Sequence, residues 1–180
     1  MTSQTSMIRQ AARGGVDPLL AAALAILVIA AWTLAGAWFF QLVLDIKPCP
    51  LCLEQRYAYY ATVPLASLIA FGVARGAPRN LLLLGLALIL LATLANAWLG
   101  AYHAGVEWGF WKGPTDCTGP LVDFGKAGSL FDQLDKVKVI RCDEVQWRFL
   151  GLSLAGYNVL ISLLMAAIAG LGLVRAVTKP

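Results

Sequence analysis

Four long apolar segments, separated by polar stretches, dominate the hydrophobic pattern of the chain. They cover about residues 18–44, 57–74, 80–103 and 147–174, each near the roughly 20 apolar residues that a helix needs to cross a bilayer. Two polar loops, about 45–56 and 104–146, and a short basic turn at about 75–79 separate them. The pattern predicts an all-α membrane protein, in which residues 1–180 form a single bundle of four transmembrane helices.

Composition agrees with the membrane prediction. Hydrophobic residues make up 59% of the 180 positions and charged residues 13%, and a soluble domain of this length could not bury so much apolar surface. The net charge of +4 comes without a basic cluster, so nucleic acid is not an expected partner.

The placement of charge predicts an orientation. Acids and bases nearly balance in the loops 45–56 and 104–146, whereas the opposite side of the membrane would carry mainly basic residues: Arg9, Arg13, Arg75, Arg79, Arg175 and Lys179. By the positive-inside rule, both termini are expected to face the cytoplasm and both loops to face outward.

All four cysteines fall in these two outward loops. Cys49 and Cys52 form a Cys-Pro-Leu-Cys motif in the first loop, and Cys117 and Cys142 lie in the second. Outside the cytoplasm thiols meet oxidising conditions, so disulfides persist there. Three interpretations are open at this point: a zinc site, a pair of structural disulfides, or thiols that exchange electrons.

The spacing of the cysteines does not support the three interpretations equally. The second pair lacks the clustered spacing of a zinc ribbon. A structural disulfide suits Cys117 and Cys142, because it would restrain a long polar loop. A bridge between Cys49 and Cys52 closes too small a loop to contribute much stability, and is better explained by reactivity.

Arg56 also favours a reactive Cys52. If the second helix begins near Cys52, its N-terminal amides and dipole stabilise a thiolate there. Arg56 lies four residues later on the same helical face and adds a fixed positive charge. The alternative interpretation of Arg56 is an arginine that snorkels to the membrane interface.

Other polar and amphipathic positions predict packing. Leu130, Leu134 and Val137 recur at helical spacing among charged residues, which predicts a short amphipathic helix on the outer membrane surface, with a packed cap over the bundle as the alternative. Asn96 and Asn158, inside the third and fourth segments, predict an interhelical hydrogen bond.

Three stretches resemble the DsbB family, the disulfide-bond formation proteins of bacterial inner membranes. They are PCPLCLEQR at 48–56, YHAGVEWGFWKGPTDC at 102–117 and RCDEVQWRFLGLSLAGYN at 141–158. The resemblance extends to the four-helix plan and both cysteine loops, and so covers nearly the whole chain.

The resemblance implies a membrane thiol oxidase. Such an enzyme reoxidises a periplasmic DsbA-like protein of the thioredoxin fold and passes the electrons to a membrane quinone, with ubiquinone favoured and menaquinone as the alternative. By this resemblance Cys117 and Cys142 form the disulfide that meets the partner, whose thiolate attacks Cys117. The electrons then move to the Cys49–Cys52 pair, with Cys52 next to the quinone.

The resemblance also implies quinone-site residues. Arg56 matches the family's quinone-site arginine, and His103 lies where the family has a quinone-proximal histidine. Trp147 and Leu154, seven residues apart on one face of the fourth helix, are expected to wall the quinone. Gln55 departs from the family pattern, in which an acid is sometimes found. Two alternatives stay open: a DsbB-like paralogue with a different thioredoxin-like partner, and a membrane scaffold with structural loop disulfides.

Overall fold

The computed structural model of the protein describes residues 16–114 and 141–178. Its elements, in chain order, are α1 (Pro18–Leu42), α2 (Pro50–Arg75), α3 (Arg79–Glu107), β1 (Arg148–Phe149), β2 (Leu152–Ser153) and α4 (Leu154–Thr178). Within the described ranges, all four helices are long and apolar enough to cross a membrane. The predicted class, a four-helix membrane protein, is therefore confirmed. Cys117 and the amphipathic helix predicted at Leu130, Leu134 and Val137 lie outside the described residues.

The start of α2 differs from the sequence-based boundary near Tyr57. The helix begins at Pro50, with Cys49 as the N-cap residue, whose sulfur accepts a hydrogen bond from the Cys52 backbone N–H. Proline is favoured at the first helical position because its fixed φ suits the helix and its missing N–H would have no intrahelical partner. Both Cys49 and Cys52 are thus held at the N-terminus of a helix.

The start of α4 also differs from its predicted position near Trp147. Before the helix, β1 and β2 pair antiparallel, with Arg148 opposite Ser153 and Phe149 opposite Leu152. Leu150 and Gly151, the two residues of the turn, both have positive φ. Positive φ at both central residues is typical of a type I′ hairpin. Because the hairpin occupies residues before Leu154, the helix is shorter than the apolar pattern predicted.

The four helices pack in an antiparallel bundle with an apolar centre. Ile26, Ile69, Leu86, Ile89 and Met165, which come from all four helices, are fully or almost fully buried. Helices α1 and α4 approach closely at Gly172, where an added Cβ would lie 2.7 Å from the Cβ of Ala22. Large apolar side chains such as those of Leu68, Leu91 and Val174 remain on the outside of the bundle, where a bilayer would solvate them.

One end of the bundle gathers the C-termini of α1 and α3 with the N-termini of α2 and α4. We call it the cysteine end, because Cys49, Cys52 and Cys142 lie there. The opposite end carries Arg75 and Arg175 in the last turns of α2 and α4.

Candidate thiol–disulfide site

Cys49 and Cys52 are reduced and in direct contact. Their sulfur atoms lie 2.9 Å apart, and the Cys52 backbone N–H donates to the Cys49 sulfur at 3.3 Å. Cys49 is 4% exposed, whereas Cys52 is partly buried. The cap position therefore directs a helix N-terminal amide at Cys49, where the sequence had suggested Cys52.

This environment stabilises Cys49 as a thiolate. The hydrogen bond from the Cys52 side chain lowers the pKa of Cys49 from its ordinary value near 9 to about 5. Burial opposes the shift, while His103 and the Cys52 backbone N–H reinforce it. At neutral pH Cys49 is consequently the charged member of the pair.

His103 connects the thiol pair to the interior of the bundle. One ring nitrogen, Nε2, lies 3.6 Å from the sulfur of Cys49. The other, Nδ1, faces the amide nitrogen of Gln55 at 2.8 Å, and the Gln55 carbonyl accepts a hydrogen bond from Asn158 at 2.6 Å. Because the Gln55 amide nitrogen donates to Nδ1, a neutral His103 carries its proton on Nε2, directed at Cys49.

The chain of hydrogen bonds continues from Asn158 into the core, with a fixed order of donors and acceptors. The Oδ1 atom of Asn158 accepts from the Tyr59 hydroxyl at 2.6 Å and from the Asn96 amide at 3.2 Å. The Asn158 amide nitrogen is thereby left to donate to Gln55. The predicted hydrogen bond between Asn96 and Asn158 is present, and together with Ser162 these residues form a buried polar layer below the thiol pair.

Cys142 brings the second loop to the same place. It is disulfide-bonded and 2% exposed, and it packs with Cys49, Leu51 and Val106. Its sulfur, the Cys49 sulfur and a ring nitrogen of His103 all lie within 4.8 Å of one another. A disulfide sulfur and a low-pKa thiol are thus neighbours, as thiol–disulfide exchange requires.

Arg56 points toward α1. Its guanidinium donates to the Gln41 side chain at 2.6 Å and to the Ala37 carbonyl at 3.3 Å, and lies 5.5 Å from the centre of the Trp38 ring. These contacts fix the plane of the guanidinium at the junction of α1 and α2. Two of its five N–H donors are used in them.

A cavity of about 520 Å³ opens beside the thiol pair. Its volume lies in the range usual for small-molecule sites, and apolar and aromatic side chains of α1, α4 and the hairpin form most of its wall. The predicted site residues that line it are Cys49, Cys52, Arg56, His103, Trp147 and Leu154. Cys142 does not line the cavity, but its sulfur lies within 4.8 Å of the Cys49 sulfur, so the predicted site residues of the described ranges all come together.

Glu107 also lines the cavity, although it was not among the site residues predicted from the sequence. It ends α3, accepts a hydrogen bond from the Ser153 hydroxyl, and lies 3.9 Å from Nε2 of His103. Its spacing of four from His103 on one helix was a signal in the sequence. Its burial, however, depends on the hairpin that supplies Ser153, and the hairpin was not predicted.

Fold and site together define a multi-pass membrane protein of the thiol–disulfide oxidoreductase class. The family model for disulfide bond formation protein DsbB matches residues 20–172. The chain belongs to this family.

Named relatives agree with the family match. The chain is 30% identical to disulfide bond formation protein B of a Polaromonas species over 146 residues, which cover 78% of this chain and 80% of the relative. It is 32% identical to the protein of the same name from Marinobacter nauticus, over 78% of this chain and 83% of the relative. Disulfide bond formation protein B 1 of Pseudomonas fluorescens is 31% identical, over 79% and 82%.

Proposed function

We propose that the protein is a membrane thiol oxidase, which reoxidises a DsbA-like periplasmic dithiol protein and passes the electrons to a membrane quinone. The observation that carries the proposal is the proximity of the Cys142 and Cys49 sulfurs, within 4.8 Å, where Cys49 and Cys52 both line the cavity. One sulfur belongs to the loop that would meet a protein, and the other to the pair that borders the cavity.

Electrons enter through two thiol–disulfide exchanges. The partner's thiolate attacks Cys117 in a disulfide with Cys142, and Cys142 leaves as a thiolate. That thiolate attacks Cys49 in the Cys49–Cys52 disulfide, and Cys52 leaves. When the partner's second thiol closes the partner's own disulfide, the freed Cys117 thiolate displaces Cys49 from Cys142. The net change is one disulfide gained by the partner and one lost by the Cys49–Cys52 pair.

The electrostatics of Cys49 suit this last step. A thiol of low pKa is a good leaving group, and the pKa of Cys49 is lowered to about 5 mainly by the hydrogen bond from Cys52. Nε2 of His103, 3.6 Å from the Cys49 sulfur, stabilises the departing thiolate by donating its N–H. We therefore assign His103 first to Cys49, and only second to a ligand in the cavity.

The cavity residues fit a quinone ring. When bound, a quinone supplies a two-electron, two-proton acceptor. Trp147, Phe40 and Leu154 provide apolar walls for a flat ring, and Arg56, fixed by Gln41 and Ala37, would hold a carbonyl oxygen. Cys52 lines the same space and would face the ring.

The same proposal sets the membrane orientation. Arg75 and Arg175 lie at the end of the bundle opposite the cysteines, and the positive-inside rule assigns that end to the cytoplasm. The cysteine end then faces the periplasm, in the inner membrane of a bacterium. Both chain termini are cytoplasmic in this arrangement.

An anaerobic single-turnover experiment tests the function. Purified protein is mixed with a reduced DsbA-like protein, with and without ubiquinone or menaquinone, and the thiols are alkylated at intervals and mapped by mass spectrometry. We expect Cys49 and Cys52 to become reduced without quinone and to return to a disulfide when quinone is added. A Cys49–Cys52 pair whose redox state never changes would leave the loop disulfides with a structural role and would overturn the proposal.

A further inference from the structure

Glu107 is a buried carboxyl for which the exchange steps above have no use. Its side chain is 7% exposed, although it ends a helix at the membrane surface, and it shares the cavity with Cys49 and Cys52. An ionised carboxylate loses much hydration in such a place, so the residue needs a specific reason to be there.

Ser153 fixes one oxygen of this carboxyl group. The Ser153 hydroxyl oxygen accepts the backbone N–H of Gly156 at 3.2 Å, which directs the hydroxyl hydrogen to Oε2 of Glu107. The other oxygen, Oε1, lies 3.9 Å from Nε2 of His103. Glu107 is therefore held in place by the hairpin and turned toward the histidine.

A thiolate and a carboxylate thus compete for one N–H. Nε2 of His103 lies 3.6 Å from the Cys49 sulfur and 3.9 Å from Glu107, and Gln55 donates to the opposite ring nitrogen. Like charges that share a site disfavour each other, so the pair is more stable when only one of the two is ionised. A Cys49 thiolate then favours a protonated Glu107, and a Cys49 that is uncharged in a disulfide favours an ionised Glu107.

Other groups around Glu107 do not remove this competition. Arg148 on β1 acts on it electrostatically from the hairpin. The remaining titratable or charged side chains of the cavity wall are Lys47, Cys52, Arg56, Tyr59, Arg141, Glu144 and Tyr157. Of the cavity groups that act electrostatically on Glu107, Cys49 and Cys52 are the ones whose chemical state changes with the disulfide.

We propose that Glu107 takes up a proton when the Cys49–Cys52 disulfide is reduced and releases it when the disulfide forms again. This inference rests on the oxidase function proposed above. Two electrons from the second cysteine pair break the S–S bond. One proton goes to Cys52, which becomes a thiol, Cys49 remains a thiolate, and the second proton converts the Glu107 carboxylate to a carboxyl group. In the reverse direction two electrons leave for the quinone, and both protons leave the site.

Glu107 changes the number of protons that the cysteine pair takes up on reduction. With Glu107, reduction of the pair takes up two protons per two electrons at neutral pH; without it, only the proton on Cys52 is taken up. The equilibrium constant for reduction then changes about 100-fold per pH unit in the wild type and about tenfold in Glu107→Gln. At about 30 mV per tenfold change for two electrons, these are slopes of about 59 and about 30 mV per pH unit.

The experiment measures these slopes on the full-length chain in detergent. The protein is equilibrated anaerobically with thiol–disulfide redox buffers across the neutral pH range, without quinone or protein partner, and the peptide that carries Cys49 and Cys52 is quantified by mass spectrometry. Glu54→Gln, an exposed acid on the same helix as Cys52, is the matched control and is expected to keep the wild-type slope. Equal slopes in the wild type and Glu107→Gln would overturn the proposal.

An infrared redox-difference spectrum of the wild type gives a second readout that needs no variant. A protonated-carboxyl band is expected to appear on reduction of the pair, and its absence would overturn the proposal even if Glu107→Gln does not fold. Since neither measurement involves a partner or quinone, failure of the oxidase function and failure of the proton role of Glu107 give different results.

Discussion

The sulfur of Cys142 lies within 4.8 Å of the sulfur of Cys49, although the two residues belong to different loops. Both are buried, and both pack against Leu51 and Val106. Exchange between the two cysteine pairs therefore needs only a small displacement of either sulfur.

Cys52→Ser is expected to trap this contact as a covalent bond. Without the Cys52 thiol, a Cys49 thiolate that attacks the Cys142 disulfide forms a Cys49–Cys142 bridge and frees the other sulfur, and the serine hydroxyl of the variant cannot resolve the bridge. Non-reducing peptide mapping detects the bridge. The double variant Cys49→Ser/Cys52→Ser serves as the control and cannot form it. Failure to find the bridge in the single variant would contradict direct exchange between Cys49 and Cys142.

The alkylation rate of Cys49 in the reduced protein is expected to depend on pH with a midpoint near the lowered pKa of about 5. Because the thiolate is the reactive form, the rate is high above this pH and falls as the pH falls through it. His103→Ala removes the Nε2–H donor and is expected to raise the midpoint by about one unit. Tyr57→Phe, an exposed position on α2, is the control. An unchanged midpoint in His103→Ala would show that the histidine does not act on Cys49.

Arg56→Ala is expected to raise the apparent KM for quinone by about tenfold or more, because a charged hydrogen bond to a ligand is worth about 1.5–3 kcal/mol. Gln41→Ala leaves the guanidinium in place but removes the side chain that orients it, so a smaller increase is expected. Steady-state kinetics at varied quinone concentration measure both. Arg75→Ala, at the opposite end of α2, is expected to leave the KM unchanged. The same KM in Arg56→Ala as in the wild type would reduce Arg56 to a membrane anchor.

Asn158→Ala is expected to destabilise the bundle by about 1–3 kcal/mol, because Gln55, Tyr59 and Asn96 each lose a buried hydrogen bond to Asn158. Leu160→Ala, on the lipid-exposed side of α4, is the matched control, with an expected change within about 0.5 kcal/mol. Reversible unfolding in mixed detergent measures the difference. Equal stability of the two variants would mean that the buried layer does not hold the helices together.

The four helices could be predicted from sequence because the length and hydropathy of a membrane segment are local properties. The start of α2 could not, because it depends on a cysteine that caps the helix, and cysteine is not among the usual capping residues. The signal that was present is Pro50, at the first helical position. This difference moves the capping amide from the expected Cys52 to Cys49.

Only part of the site could be predicted from the sequence. Arg56 was placed one turn beyond Cys52, but its contact with Gln41 is a relationship between two helices. The partnership of Glu107 with Ser153 likewise joins α3 to a hairpin that the apolar pattern concealed. Such contacts follow from tertiary packing, on which hydrophobic periodicity carries no information.

Anaerobic quinone reduction by the purified protein, in the presence of a reduced DsbA-like protein, tests the oxidase function most directly. Ultraviolet absorbance follows the quinone, while alkylation counts the disulfides formed in the partner. The oxidase function requires that one quinone is reduced for each partner disulfide formed, and that both reactions are lost in Cys49→Ser and in Cys52→Ser. Partner oxidation without quinone reduction, or wild-type turnover in either variant, would contradict it.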